Sequence, residues 1–494
     1  MPFVSVDTAP SPVPVKQRRG EEAVLGFGVF GAVLSVLLVR FLVPRPVSMS
    51  DNGDGFRVLC GAGIPWRSGP EPFARLVYDV PGGTCEPTYL LSQSWLASAA
   101  RRIGAHFGEH ESLNLAVLGI VSSALIAAAI TAVVLGLPGR RGVRLAVAAG
   151  LLLVVGDSAF FGYFASVLGE GAAFLGLLLV AGGLLLTARV GWWSYAGMAV
   201  TVLGGVVAIN AKVQTLMILP LLVVAVLLVR PGGRRGLARW VPSLLVAAAL
   251  GGLTYAAQQS VEPAKAPDGT LAARPGDDSR EINMFNTVFL NIVDGKHDTQ
   301  ADLAALGLPP GFARYAGNGW WHPNPATLDP EYPRYRDKLS RHNVAGYFAS
   351  HPGRTLEVLN RAASDLLTAR PDYLGSFDAS AGLPPHAQEY RMPVVSWLTG
   401  LFAPLGLFAL VPLWLFVAWR GVRHRRAALG AVLGLLLAVA VGQFVLAALG
   451  DGIENVKHQA VALFATLLAV PLALLPRGAG RRDPVICSAK PTHP

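Results

Sequence analysis

From Ala23 to Val43 nearly every residue is apolar, and comparable runs recur along the chain as far as Leu475. About 20 such residues, rising roughly 1.5 Å each, cross the hydrocarbon of a bilayer as a helix. Within lipid every backbone N–H and C=O must be satisfied by the chain itself, so these runs limit the fold more than any other feature. Ten spans are predicted, near 22–43, 113–136, 143–160, 171–187, 194–209, 215–230, 241–257, 393–419, 427–448 and 457–475. Only 15% of the 494 residues are charged, against about 25% in a soluble protein. The expected fold is therefore an all-α polytopic membrane protein.

The net charge of +10 raises nucleic acid as a partner, but its placement argues against it. Basic residues gather in short segments: Lys16, Arg18 and Arg19; Arg140, Arg141 and Arg144; Arg230 to Arg239; Arg420 to Arg426; and Arg477, Arg481 and Arg482. Short basic loops mark the cytoplasmic side of a membrane. Nothing resembles the aromatic-interleaved basic patch of a nucleic-acid binder. With ten spans every cluster falls on one side and both termini are cytoplasmic, as expected of a multi-pass plasma-membrane protein. The first run lacks a small-residue cleavage site after it, so it reads as a retained anchor.

This topology divides the chain into a cytoplasmic tail (1–21), spans one to seven (22–257) with an outer loop at 44–112, an outer domain (258–392), spans eight to ten (393–475) and a second tail (476–494). In the outer domain a Pro/Gly/Asp-rich stretch, Glu262 to Ser279, reads as loop. A helical region from about Asp337 to Ala369 breaks at His351-Pro352-Gly353. Trp320, Trp321, Tyr332, Tyr335 and Tyr373 suit either stacking on sugar rings or an interfacial aromatic belt. Cys60 and Cys85 share the first outer loop, where a disulfide is permitted; Cys487 lies in the tail.

Ionisable residues recur where the spans meet the outer face. Asp51-Asn52-Gly53-Asp54-Gly55-Phe56-Arg57 follows the first span, and Asp157 and Glu170 bracket the third and fourth. Lys212 sits at the turn between the fifth and sixth; Asp451, Glu454, Lys457 and His458 precede the last. A single such charge reads as an ordinary rim residue and the Asp/Gly stretch as a turn. Four turns supplying both signs at one level point to a shared site. The acids would serve as general base or hold a divalent cation. The cations would hold a phosphate and stabilise the charge that builds on it as it departs. Gly53 and Gly55 would let Asp51 and Asp54 point into one cavity. Arg57 would contact phosphate or keep one of these acids ionised.

These stretches resemble the GT-C class of polytopic glycosyltransferases, which use polyprenyl-phosphate-linked sugars, and in particular bacterial surface-glycan hexose transferase-like members. The likeness rests on Asp51 to Arg57, on Asp157…Tyr163-Phe164-Ala-Ser166…Gly169-Glu170 and on Ala211-Lys212-Val-Gln214. It extends through Asn283-Met-Phe-Asn286-Thr-Val-Phe289 and Gly450-Asp451…Glu454-Asn-Val-Lys457-His458. It implies a hexose moved from a polyprenyl-phosphate donor to a cell-envelope glycan or protein acceptor on the outer face. Asp51 or Asp54 would be base or metal ligand, with Mg or Mn the cation, and Asp157 and Glu170 the second acidic position. Arg57, Lys212, Glu454, Lys457 and His458 would bind substrate. The i, i+3 spacing of Asp51 and Asp54 departs from the class's larger acidic clusters, and a displacement using one base and a charged clamp needs no metal. Two other readings use the same features: a flippase for a lipid-linked glycan, and a non-catalytic envelope-binding protein.

Overall fold

A computed structural model describes residues 15–65, 70–80, 91–234, 236–259, 277–424 and 428–476. Among them seven helices are long and apolar enough to cross a membrane: Gly20–Leu42, Leu115–Gly136, Glu170–Thr187, Trp192–Ile209, Val213–Gly233, Gly236–Gln259 and Ala428–Gly450. The chain is an all-α polytopic membrane protein, with one two-stranded ribbon (Val77–Asp79 with Ser112–Asn114) as its described β structure.

At the third and tenth expected spans stand shorter helices, Arg141–Gly156 and Ala460–Ala473. At 16 and 14 residues they are about 24 and 21 Å long, less than the hydrocarbon thickness. The eighth expected span is broken. Val394–Leu405 and Leu407–Arg423 meet at 119°, so the continuous helix anticipated at 393–419 is two. The break lies at Pro404 and Gly406. Gly406 has φ +52°, and a Cβ there would sit 2.5 Å from Asn360 Oδ1, which accepts the Leu407 N–H at 3.0 Å.

Glu170–Thr187 is apolar all round and buried along almost its whole length, the pattern of a central helix. Its neighbour Trp192–Ile209 approaches backbone to backbone. A Cβ on Gly176 would lie 2.5 Å from the Ala208 N, and one on Gly183 would lie 2.6 Å from the Thr201 N. Small residues allow such close contact where lipid offers no hydrophobic drive between helices. Phe174 stacks on Phe464 at 4.4 Å, and Phe160 meets Phe464 edge-on at 5.1 Å. The neighbouring segments at Phe160 and Phe174 are thereby locked to the last helix, some 290 residues on, beneath the loop face, the end of the bundle carrying the long connections.

On that face the two long connections merge. Ser48 and Ser50 donate backbone bonds to the carbonyls of Ser376 and Gly375 at 3.1 and 2.8 Å, and Ala74 to that of Phe377 at 2.9 Å. Beside them stands a helical lobe. Its helices Arg341–Ser350 and Pro352–Thr368 meet at His351, the expected break, and its core includes Phe285, Phe289, Phe312, Tyr332 and Phe348. The lobe presses on the loop before the last helix, where a Cβ on Gly452 would meet the Asn286 carbonyl oxygen at 2.2 Å.

Candidate functional site

The two acids of the Asp51–Arg57 stretch have different tasks. Asp51 is buried, and its Oδ1 accepts the N–H groups of Gly53 at 2.9 Å and Gly55 at 2.8 Å. This is the turn that Asp and Gly favour. Gly55 is needed for closeness rather than freedom, because a Cβ would lie 2.4 Å from Val167 Cγ2 and 2.5 Å from Asp51 Oδ2. Asp51 is thus taken up by its own turn while Asp54 turns to cations, so the two acids do not share one task as expected. Asp54 is 38% exposed and bonded by Arg57 at 2.6 Å and by Lys457.

Lys457 lies on a single turn, Asn455–His458, at the mouth of the last helix, and its side chain has no exposed surface. Glu454, in the left-handed region at φ +53°, starts that turn. Its carboxylate accepts two bonds from the Asn52 amide, at 2.9 and 2.8 Å, and lies 3.5 Å from the Lys457 Nζ. His458 pairs with Asp451 and stands 3.9 Å from Glu454. The first loop and the last are therefore joined twice, by Asn52–Glu454 and by Asp54–Lys457, across about 400 residues of chain.

Glu170, buried at the start of the central helix, takes the ammonium of Lys212 at 2.6 Å. Gly169 makes room, since a Cβ there would meet Ala211 O at 2.5 Å. Gln214 ties this turn to Gln443 at 2.9 Å and to the His458 carbonyl at 3.2 Å. Glu170 acts electrostatically on Lys457, and Lys212 on Asp54, so the two ion pairs share one field. Burial alone would push the Asp54 carboxyl up, but Lys457, Lys212 and Arg57 hold it well below the usual carboxylate range. Burial likewise would lower the Lys457 ammonium, whereas Asp54, Glu170 and Glu454 raise it.

Of the expected site residues, Asp54, Arg57, Glu170, Lys212, Glu454 and Lys457 come together, with His458 at the edge beside Asp451. Asp157 does not join them. It accepts the N–H groups of Val395 at 2.7 Å, Ser396 at 3.2 Å and Ala159 at 2.9 Å, and so caps the helix Val394–Phe402. Nearby Arg40 bonds Glu389 and the Gly156 carbonyl, and Ser158 donates to Glu389 at 3.0 Å. Three further residues belong to the site. Asn52 holds Glu454; Tyr373 faces Glu454; and Tyr163, fully buried with no partner for its hydroxyl among the described residues, lies in the field of Glu170 and Lys457. Asn52 and Tyr163 stand inside the stretches singled out from sequence, and the spacing of the charged residues around them was the available signal. The aromatics divide as well. Trp320 and Tyr332 pack on Phe285 at 5.4 and 6.0 Å, and Tyr335 on Phe312 at 5.8 Å, within the lobe; Trp321 is exposed.

The carboxylates do not assemble a cation site. Asp51 is committed to amides and Asp54 to two cations, and among the described residues no group of three His, Cys, Asp or Glu is placed to hold a metal ion. Cys60 is disulfide-bonded, while Cys85, Cys487 and the stretch 260–276 lie outside the described residues. What the cluster offers is one reachable carboxylate beside the buried Lys457 ammonium and the half-buried Lys212. That set can accept a proton and stabilise an anion within one small volume.

No curated protein and no solved structure matches the chain. Residues 16–474 match the family described as the YfdI N-terminal transmembrane domain, nearly the whole length, and the chain belongs to that family.

Proposed function

We infer that this protein is a membrane glycosyltransferase. It moves a sugar, expected to be a hexose, from a polyprenyl-phosphate donor to a cell-envelope glycan or protein acceptor. The loop face would lie outside the plasma membrane, with both termini in the cytoplasm. The observation that carries the reading is the pairing of the half-buried Asp54 carboxylate with the buried Lys457 ammonium where the first and last loops meet. Asp54 takes the proton of the acceptor hydroxyl as its oxygen attacks the anomeric carbon. The bond from that carbon to the phosphate oxygen breaks, and the electron pair leaves with the lipid phosphate. The phosphate thereby gains a second negative charge, which Lys457, Lys212 and Arg57 are placed to stabilise. A single displacement of this kind inverts the anomeric carbon. Asp51 serves by holding the turn.

The test is transfer from labelled polyprenyl-phosphate sugar in proteoliposomes. Asp54→Asn is expected to insert normally and to lose glycoside formation. Full activity in that variant would remove the base assignment. Movement of the labelled lipid across the bilayer without any glycoside product would establish a flippase instead.

A further inference from the structure

The six charges that pair directly balance by count, with the Asp451–His458 pair at their edge. Asp54, Glu170 and Glu454 face Lys457, Lys212 and Arg57, one charge against another. Lys457 has no exposed surface, so an incoming anion gains its ammonium only by moving a carboxylate aside. Two carboxylates adjoin that ammonium, and they are not equally free. Glu454 is anchored by both bonds from Asn52, whereas Asp54 is the more exposed of the two. If Asp54 moves off Lys457, it keeps a counterion in Arg57 on its own loop.

We propose that the Asp54–Lys457 pair is a latch. The phosphodiester of the lipid-linked donor takes Lys457 as its counterion, and Asp54 is released as a base only then. This rests on reading the cluster as a lipid-phosphate site. The physical reason is charge balance. Adding one negative charge to a neutral, largely buried cluster leaves an uncompensated anion, which is costly at low dielectric. Proton uptake by Asp54 removes that excess. The acceptor hydroxyl supplies the proton, and its oxygen becomes the nucleophile. Before the donor arrives, the paired carboxylate is a weak base towards water or acceptor. The latch thus orders the reaction, donor first, and suppresses proton abstraction when no donor is bound.

The latch predicts a result opposite to that of a supporting residue. The full-length protein in nanodiscs is titrated at neutral pH with an alkyl phosphodiester, which carries one negative charge there and has no sugar to transfer. Asp54→Asn is expected to bind it about fivefold tighter than wild type, because the competitor for Lys457 has lost its charge. Lys457→Gln is expected to bind at least about tenfold weaker. Glu454→Gln should change affinity by less than about twofold. Asp54→Ser, which cannot span to Lys457, serves as a second variant where Asn packs badly. Equal or weaker binding by both Asp54 variants, with Lys457→Gln still impaired, overturns the latch and leaves the transferase reading standing. Tightening in Glu454→Gln as large as in Asp54→Asn overturns it too, since only a general field would then be at work. If Lys457→Gln binds like wild type, the phosphate site itself is lost and both proposals go. Tighter binding by Asp54→Asn, where the wild-type protein forms no glycoside from complete donor and acceptor, keeps the exchange of phosphodiester for Asp54 on Lys457 but removes the transferase and with it the release of a base.

Discussion

Two clusters of buried charge lie towards the loop face, and they differ in what their groups are committed to. In one, Arg40, Glu389, Arg391 and Asp157 combine ion pairs with hydrogen bonds to the backbone of neighbouring elements. Arg40 reaches the Gly156 carbonyl, Glu389 takes Arg391 through its side chain at 3.0 Å, and Asp157 takes two amides of the Val394–Phe402 helix. This set joins the end of the first span to the start of the eighth. In the other, Asp54, Lys457, Glu454, Glu170 and Lys212 spend their bonds mainly on one another, and one member is open to solvent. Charges tied to backbone hold elements in place. Charges tied to each other can exchange partners at modest cost, because a new ion can replace an old one. The second arrangement is the one suited to chemistry.

The comparison breaks most sharply through Asp54→Asn, expected to lower turnover by about a hundred- to ten-thousand-fold while the melting midpoint at neutral pH falls by a small but measurable amount; single-turnover transfer checks the first and a melting curve the second. Arg40→Gln should do the reverse. It removes one of the two cations on the buried Glu389, which keeps Arg391 and Ser158, and should cost about 1–3 kcal/mol of stability, read as a lower melting midpoint, while phosphodiester binding in surviving protein stays at the wild-type value. Gly55→Ala lies between the two. The new Cβ must displace Val167 or the Asp51 carboxylate, at about 1–3 kcal/mol, and should reduce turnover by disturbing the turn that carries Asp54. Asp157→Ala removes a helix cap, worth about 1 kcal/mol, and should leave turnover within about twofold.

The smallest effect expected is on pH. The Asp54 carboxyl is depressed in the folded protein, so its stabilising contribution is fully present above the ordinary value of 3.8. It is lost as the pH falls further, through the depressed folded value. Melting midpoints of wild type and Asp54→Asn should therefore converge only under acid conditions. If they already coincide at neutral pH, the ion pair contributes nothing to folding.

Much of the fold was legible because lipid imposes a simple rule on sequence. Runs such as Leu115 to Gly136 can only be helices at that depth. The exceptions lie where contacts override length. The predicted span at 393–419 breaks at Pro404 and Gly406, and Asn360, some 45 residues earlier, fixes the restart by accepting the Leu407 N–H. No local pattern announces that partner. At the site the residue types were legible and their roles were not. Asp51 and Asp54 share a stretch and a side-chain chemistry, yet one is consumed by Gly53 and Gly55 and the other faces Lys457. Asp157 looked like a third acid of the same set until its amide partners showed otherwise.

The sequence by itself determined the membrane setting, the helical class and the small set of polar residues able to carry chemistry, because hydropathy and turn preference are local properties. Tertiary structure alone decided which of those residues meet. Ion pairing between Asp54 and Lys457 depends on about 400 intervening residues folding so that the first and last loops touch. The close approach of the central helices at Gly176 and Gly183, and the aromatic stack of Phe174 on Phe464, help to set that geometry.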